Sequence, residues 1–306
     1  MSADNLEADN YCCASCGIAE VDDTKLKECD CCDLVRYCSD ECQEDHRSEH
    51  ETKCKERATK LRDEILFRQP ESTHRGDCPI CFLPLPLDVT KSSLYSCCCK
   101  VICNGCAYAN VLRELQKNNQ HPLCPFCRHP SAKNDEEIKK NWMRRIAAND
   151  TAAMGKMGYS HLEEEGDYDA AVKYWTKAAD LGDAMAHYSL SIMYSEGRGV
   201  EKDDKKTIYH LEEAAIRGHA EAHYNLAMKE GEKGRSDRAV KHCIIAANLG
   251  YDESIQTLKE CYKDGDISKD DFAAALRTHH AAVEATKSPH REEAAEFFAK
   301  HAHQLE

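Results

Sequence analysis

Eighteen of the 20 cysteines lie in the first 127 residues, and most fall in pairs two residues apart: Cys13 and Cys16, Cys29 and Cys32, Cys78 and Cys81, Cys103 and Cys106, Cys124 and Cys127. Two thiolates at that spacing reach one tetrahedral Zn2+ from a tight turn, and each such pair needs a second pair from elsewhere in the chain. The amino-terminal part of this chain is therefore expected to fold around metal and not around disulfides. After residue 127 only Cys243 and Cys261 remain, so the cysteine density itself marks a domain boundary.

For 306 residues, two or three domains are expected. The opening MSADNLEADN has neither a basic nor an apolar segment of the kind that targets a chain for secretion, and no run of 18 apolar residues occurs. The expectation is a soluble cytoplasmic or nuclear protein without a membrane partner, in a reducing compartment where cysteines serve as metal ligands. The net charge of -14 is concentrated at the start: residues 1–54 hold 15 acidic and five basic side chains, 5 - 15 = -10. Nucleic-acid readers bring a basic surface to the phosphates, so the expected partners are proteins or peptides and not nucleic acid.

Between residues 13 and 54 the candidate ligands run Cys13-x2-Cys16, Cys29-x2-Cys32, Cys38-x3-Cys42, His50-x3-Cys54, with the tract YCSDECQ at 37–43. Four-residue spacing places His50 and Cys54 on one face of a helix. This stretch resembles a MYND-type zinc finger. The resemblance implies one zinc on Cys13, Cys16, Cys38 and Cys42, a second on Cys29, Cys32, His50 and Cys54, and recognition of short proline-containing peptides. Cys12 and Cys31 adjoin proposed ligands and leave a register shifted by one open. Arg47 stands where the family usually carries a bulky aromatic, and His46 reads as a solvated helix residue.

Residues 78–130 begin CPIC, pass through SCCCKVICNGC and end CPFCRHP, with Val111, Leu112 and Leu115 at helical spacing between the sixth and seventh ligands. This stretch resembles a RING finger. The resemblance implies a cross-braced pair of zincs: Cys78, Cys81, Cys103 and Cys106 hold one, while Cys124 and Cys127 share the other with two residues of Cys97, Cys98 and Cys99. Lys100 occupies the usual histidine position and does not ligate. Cys97 and Cys99 are the expected pair, since their i, i+2 spacing lets both sulfurs point the same way from an extended turn, with Cys98 or His121 as alternatives. By the same resemblance Ile80 and Pro125 contact a ubiquitin-conjugating enzyme, and Arg128 bridges that enzyme and its thioester-linked ubiquitin. Four zinc ions are expected, two per module, each closed by protein ligands and none offering an open position for Lewis-acid chemistry.

From residue 150 the chain repeats: TAAMGKMGYSHL, DAMAHYSLSIMY, HAEAHYNLAMKE and YDESIQTLKECY align Ala153, Ala186, Ala222 and Ser254, and likewise Met157, Leu190, Leu226 and Leu258. Each of the first three is followed by a second segment ending in Gly182, Gly218 or Gly250, which suit helix C-caps of positive φ. Repeats of 32 to 36 residues indicate antiparallel helix pairs in a solenoid. With EGRGVEKDDKKT at 196–207 the pattern resembles Sel1-like repeats. Trp175, Leu211 and Cys243 share one apolar position, and Cys243 reads as a small buried hydrophobe.

The fold class expected is mainly α, with two small cross-braced zinc modules followed by an α-solenoid. Its divisions are a disordered start (1–11), the MYND-type finger (12–54), a helical linker (55–77), the RING-type finger (78–130), a charged helical connector (131–149), the repeats (150–288) and a capping helix (289–306). Histidines 279, 280, 290, 301 and 303 read as scattered over exposed helix faces. Together the resemblances imply a ubiquitin ligase that uses no covalent intermediate. The alternative is a non-enzymatic zinc-dependent scaffold.

Overall fold

The computed structural model describes residues 12–16, 25–117 and 122–301, so what the sequence leads one to expect of residues 1–11, His121 and His303 falls outside the described residues. The chain divides into two compact units, Met1–Arg68 and Gln69–Glu306.

In the first unit a short antiparallel pair, β1 (Lys27–Glu28) and β2 (Arg36–Tyr37), precedes α1 (Asp40–Asp45) and α2 (Arg47–Leu66). The Ser39 hydroxyl accepts from the Cys42 amide at 3.2 Å and starts α1, as an N-cap serine does. Tyr37 and Leu26 are buried among Cys13, Cys29 and Cys32. The linker helix is shorter than expected, ending at Leu66. Pro70 and its restriction of the preceding residue stop it short of the loop that follows.

The second unit opens with β3 (Ser92–Tyr95) and β4 (Lys100–Cys103), paired antiparallel from Ser92 opposite Cys103 to Tyr95 opposite Lys100. The helix α3 (Asn104–Gln116) follows, and Leu85, Ile102 and Ala107 form a small core with Cys78 and Cys103. The connector is α4 (Asp135–Ile146), capped by the Asn134 side chain, with acids in its first turn and Arg144 and Arg145 in its last, the order the helix dipole favours. Ile146 packs into the core of the first repeat, while Asn141 donates to Ser96 Oγ at 3.2 Å and Arg144 to the Cys97 carbonyl at 3.3 Å. The connector is thus a strut between zinc module and solenoid.

Four helix pairs follow: α5 (Thr151–Ser160) with α6 (Tyr168–Asp180), α7 (Ala184–Glu196) with α8 (Asp204–Ile216), α9 (Ala220–Glu232) with α10 (Ser236–Asn248), and α11 (Asp252–Asp264) with α12 (Lys269–Ala285). Every residue of the two aligned sets, Ala153 through Ser254 and Met157 through Leu258, is buried, as are Trp175, Leu211 and Cys243. The small side chains let paired helices approach closely, and Gly182, Gly218 and Gly250 close their helices at φ 84, 81 and 89°. Gly218 has a second task. Its carbonyl accepts from the His74 amide at 3.0 Å, and a Cβ there would lie 2.4 Å from the Ser72 carbonyl oxygen, so the segment before the second zinc module rests directly on the solenoid.

Two expectations need correction. His279 is buried, not exposed, with Nε2 2.9 Å from Asp252. The final helix, α13 (Pro289–His301), forms at the expected residues but packs on α3 of the zinc module and does not close the end of the repeats. Among the described residues no helix is long and apolar enough to cross a membrane.

Trp175 anchors the first repeat, meeting Tyr159 edge-on at 5.2 Å and donating its indole N–H to the Gly155 carbonyl. Trp175→Ala should cost about 3–5 kcal/mol of solenoid stability. Urea unfolding followed by far-ultraviolet circular dichroism measures it, and an unchanged midpoint would show that this repeat does not depend on the indole.

Candidate metal centres

Among the described residues four tetrads form, each with its ligand atoms within 4.8 Å of one another: Cys13, Cys16, Cys38 and Cys42; Cys29, Cys32, His50 and Cys54; Cys78, Cys81, Cys103 and Cys106; Cys97, Cys98, Cys124 and Cys127. In each module the first pair joins the third and the second joins the fourth. A tetrahedral zinc with bonds of about 2.3 Å to sulfur sets its ligand sulfurs about 3.8 Å apart. The observed separations match: 3.5 Å for Cys16–Cys38, 3.6 Å for Cys29–Cys54, 3.8 Å for Cys81–Cys103 and 3.6 Å for Cys98–Cys124. They are far too long for disulfides, and all these cysteines are free.

Local structure aims each ligand. Cys38 and Cys42 flank the first turn of α1, at 3.6 Å, while α2 brings His50 and Cys54 to one face. Burial lowers the pKa of His50, which keeps the imidazole neutral, as ligation requires, and its Nε2 lies 3.2 Å from Cys32 Sγ. In the second module the amides of Cys103 and Cys106 point at the sulfurs of Cys78 and Cys103, at 3.5 and 3.4 Å, so the start of α3 supports thiolate charge.

The fourth tetrad departs from the favoured sequence pattern, since Cys98 and not Cys99 joins Cys97. The amides of Cys98 and Cys99 both bond the Tyr95 carbonyl, so the segment is a tight turn in which alternate side chains no longer face the same way. Cys99 takes a left-handed φ of 53° and turns its thiol toward the Ser96 carbonyl. Burial pushes that thiol up to about 12, as expected of an inert structural cysteine. Cys12 and Cys31 are exposed and belong to none of the tetrads. Lys100 sits over the Phe126 ring at 5.4 Å.

Several supporting groups were not visible as such in the sequence. His46, read as solvated, is packed: it stacks on His50 with centroids 5.7 Å apart, and its Nδ1 lies 3.1 Å from the Tyr37 hydroxyl. Such contacts fix the orientation of a ligating imidazole. Arg47 is exposed and pairs with Glu44 at 3.2 Å. Glu114, fully buried on α3, lies 3.4 to 3.5 Å from Arg113, Lys117 and Arg128.

On the outer side of the second module, Ile80, Ala109, Arg113 and Pro125 line a groove of about 440 Å3, and Ile80 remains 40% exposed. Arg128 adopts a φ of 58° with its side chain half exposed. Ile80 and Pro125 are thus brought together, while Arg128 is tied to the buried carboxylate of α3.

The model of the MYND finger matches residues 11–54, and the model of the Sel1 repeat matches residues 151–183, 184–219 and 220–251. The chain carries a MYND finger and three Sel1 repeats. A MYND finger implies zinc, and the tetrads of residues 13–54 fit it. Such fingers and Sel1 repeats are protein-interaction modules. Among curated relatives, mouse DAP3-binding cell death enhancer 1 is 27% identical, over 42% of this chain and 33% of that protein, so the match spans about a third of the relative's length. Among solved structures, a Sel1 repeat protein from Oxalobacter formigenes is 26% identical with a TM-score of 0.44, over 59% of this chain and 73% of that one. The Escherichia coli protective antigen c5321, with an SLR fold, is 20% identical with a TM-score of 0.39, over 56% and 37%.

The vicinal cysteines separate under mutation. Cys98→Ser should lower bound zinc by about one equivalent per chain, whereas Cys99→Ser should leave it at the level of the unmodified protein. Zinc determination by inductively coupled plasma mass spectrometry decides this, and the reverse result would restore Cys99 as the ligand.

Proposed function

We propose that residues 78–130 form a RING-type finger and that the chain is a ubiquitin ligase acting without a covalent intermediate. It would hold four zinc ions, two in each module. The observation that carries the reading is the interleaving of two cysteine tetrads beside a groove bordered by Ile80 from the first zinc loop, Pro125 from the last and α3 between them. An apolar side chain left 40% exposed at the rim of a rigid, metal-set groove fits a loop of a ubiquitin-conjugating enzyme.

The chemistry asked of this chain is modest. The thioester belongs to the conjugating enzyme, the nucleophile is a substrate amine, and the ligase restrains the thioester for attack. No cysteine of this chain has to accept ubiquitin, and the tetrads engage the second module's cysteines other than Cys99. The MYND finger and the solenoid would supply substrate recognition. The DAP3 binding in the mouse relative's name supports a protein partner for this chain.

A specific observation favours a second reading, a non-enzymatic scaffold. Arg128, which resembles the arginine that bridges conjugating enzyme and ubiquitin, lies 3.4 Å from the buried Glu114. An arginine held there has to leave that carboxylate, or share it, to reach a ubiquitin carbonyl.

Single-turnover discharge of ubiquitin from a panel of charged conjugating enzymes separates the two. The ligase reading expects acceleration that falls by about tenfold or more in Ile80→Ala and Arg128→Ala, consistent with loss of an interface anchor or a positioned donor, with zinc content unchanged. No acceleration by the zinc-replete chain with any enzyme leaves the scaffold.

A further inference from the structure

The carboxy-terminal helix returns to the second zinc module and builds part of its groove. At the closest approach a Cβ on Gly105 would lie 2.9 Å from the backbone nitrogen of Arg291 and the carbonyl oxygen of His290, so α3 and α13 meet backbone to backbone. Farther along, Tyr108 packs on Phe297 at 4.8 Å, and Ala294 is fully buried. The Ser288 hydroxyl accepts from the Arg291 amide at the start of α13, and Ser288, His290 and Arg291 line the groove opposite Ile80 and Pro125.

Arg291 is the centre of the contact. Its Nη2 donates to the Leu83 carbonyl at 3.1 Å and to Cys81 Sγ at 3.4 Å, and its Nη1 donates to the carbonyls of Pro84 at 2.7 Å and Thr286 at 2.5 Å. Three of those acceptors belong to the loop that follows Ile80. That loop needs holding, because Phe82 is a bulky residue, 76% exposed, at a φ of 56°, a conformation an aromatic residue adopts at a cost. Four thiolates on a divalent ion also leave a net negative centre, beside which the guanidinium is well placed.

We infer that α13 is a working part of the docking groove: Arg291 is a positioning residue that fixes the zinc loop presenting Ile80, and the first turn of α13 is the groove's added wall. The identity of the docked partner rests on the ligase reading above, whereas the hold on the loop does not. Because Ile80 stays exposed and the groove stays open, α13 borders the site and does not cover it.

The test uses the full chain with Arg291→Ala, Arg291→Lys and Gly105→Ala. Gly105→Ala improves helix propensity and leaves every zinc ligand in place, so faster exchange in the loop comes from displaced α13; because Gly105 itself lines the groove, the affinity readout rests on Arg291→Ala. The first readout is hydrogen exchange at the amides of Cys78, Phe82 and Leu85, which bond Leu83, Cys78 and Gly76 in the loop. The second is affinity for those uncharged conjugating enzymes that bind the unmodified chain. The expected result is faster exchange confined to residues 77–85 in Arg291→Ala and Gly105→Ala, and affinity lower by about tenfold or more in Arg291→Ala. Arg291→Lys stays impaired, because an ammonium cannot reach three loop acceptors as a planar fork does. Unchanged exchange in Arg291→Ala and Gly105→Ala overturns the inference, as does tighter enzyme binding, which would make α13 a cover. If the unmodified chain binds no conjugating enzyme, the ligase reading fails, while the exchange data still decide the role of Arg291.

Discussion

The sharing of metal ligands between distant cysteine pairs is the constraint on which both amino-terminal modules depend. Among the described residues, the buried cluster around the cysteines of the first unit adds Leu26 and Tyr37, and that around the cysteines of the second adds Leu85, Ile102 and Ala107. Cores of that size do not offset the conformational entropy of ordering some 40 to 50 residues. A structural zinc contributes roughly 10–16 kcal/mol in isolated finger peptides, the scale of what such small cores lack. Because the tetrads interleave, each loop between two pairs runs from one tetrad to the other, so disruption of one site would loosen both halves of a module.

The solenoid solves the same problem with repetition. Alanines at equivalent positions remove the bulk that would keep paired helices apart, and Trp175, Leu211 and the smaller Cys243, at one equivalent position, join Met157, Leu190 and Leu226 in filling the core. Two successive repeats also place a histidine pair at equivalent positions, His187 with His210 and His223 with His242, each with Nδ1 atoms 3.0 Å apart. Burial lowers the pKa of all four, so one neutral ring donates to the other. Polar contacts thus occupy positions where the first pair carries Met154 and Tyr174, without a charge to desolvate.

What could be read from the sequence was what depends on spacing. The two-residue cysteine gaps, the four-residue step from His50 to Cys54, the aligned alanines and the glycine stops are local signals, and each has a local structural cause. The choice between Cys98 and Cys99 depended on one backbone angle at Cys99, which spacing does not determine. His46 looked solvated because nothing in a helical pattern says that its neighbour across the finger is Tyr37. His279 looked exposed for the same reason, since its partner Asp252 stands on the preceding helix. Arg291 was beyond reach altogether: its sulfur acceptor, Cys81, is 210 residues away in sequence, and only the return of α13 to α3 brings them together.

That return has a mechanical consequence for anything bound in the groove. The second zinc module is fastened at two separate points. Near its fourth tetrad α4 holds the turn of Ser96 and Cys97 through Asn141 and Arg144, while near its third tetrad α13 holds the loop of Cys81 to Pro84 through Arg291. One attachment would leave a hinge, whereas two on different metal loops remove the rotation about either. The segment before the module is fastened as well, with the His74 ring stacked on His219 at 4.2 Å. A partner seated between Ile80 and Pro125 would therefore meet the solenoid in one orientation and not an ensemble of them. If the ligase reading proposed above holds, transfer by proximity gains most from that arrangement, because orienting two reactants before they meet removes entropy that would otherwise remain in the barrier.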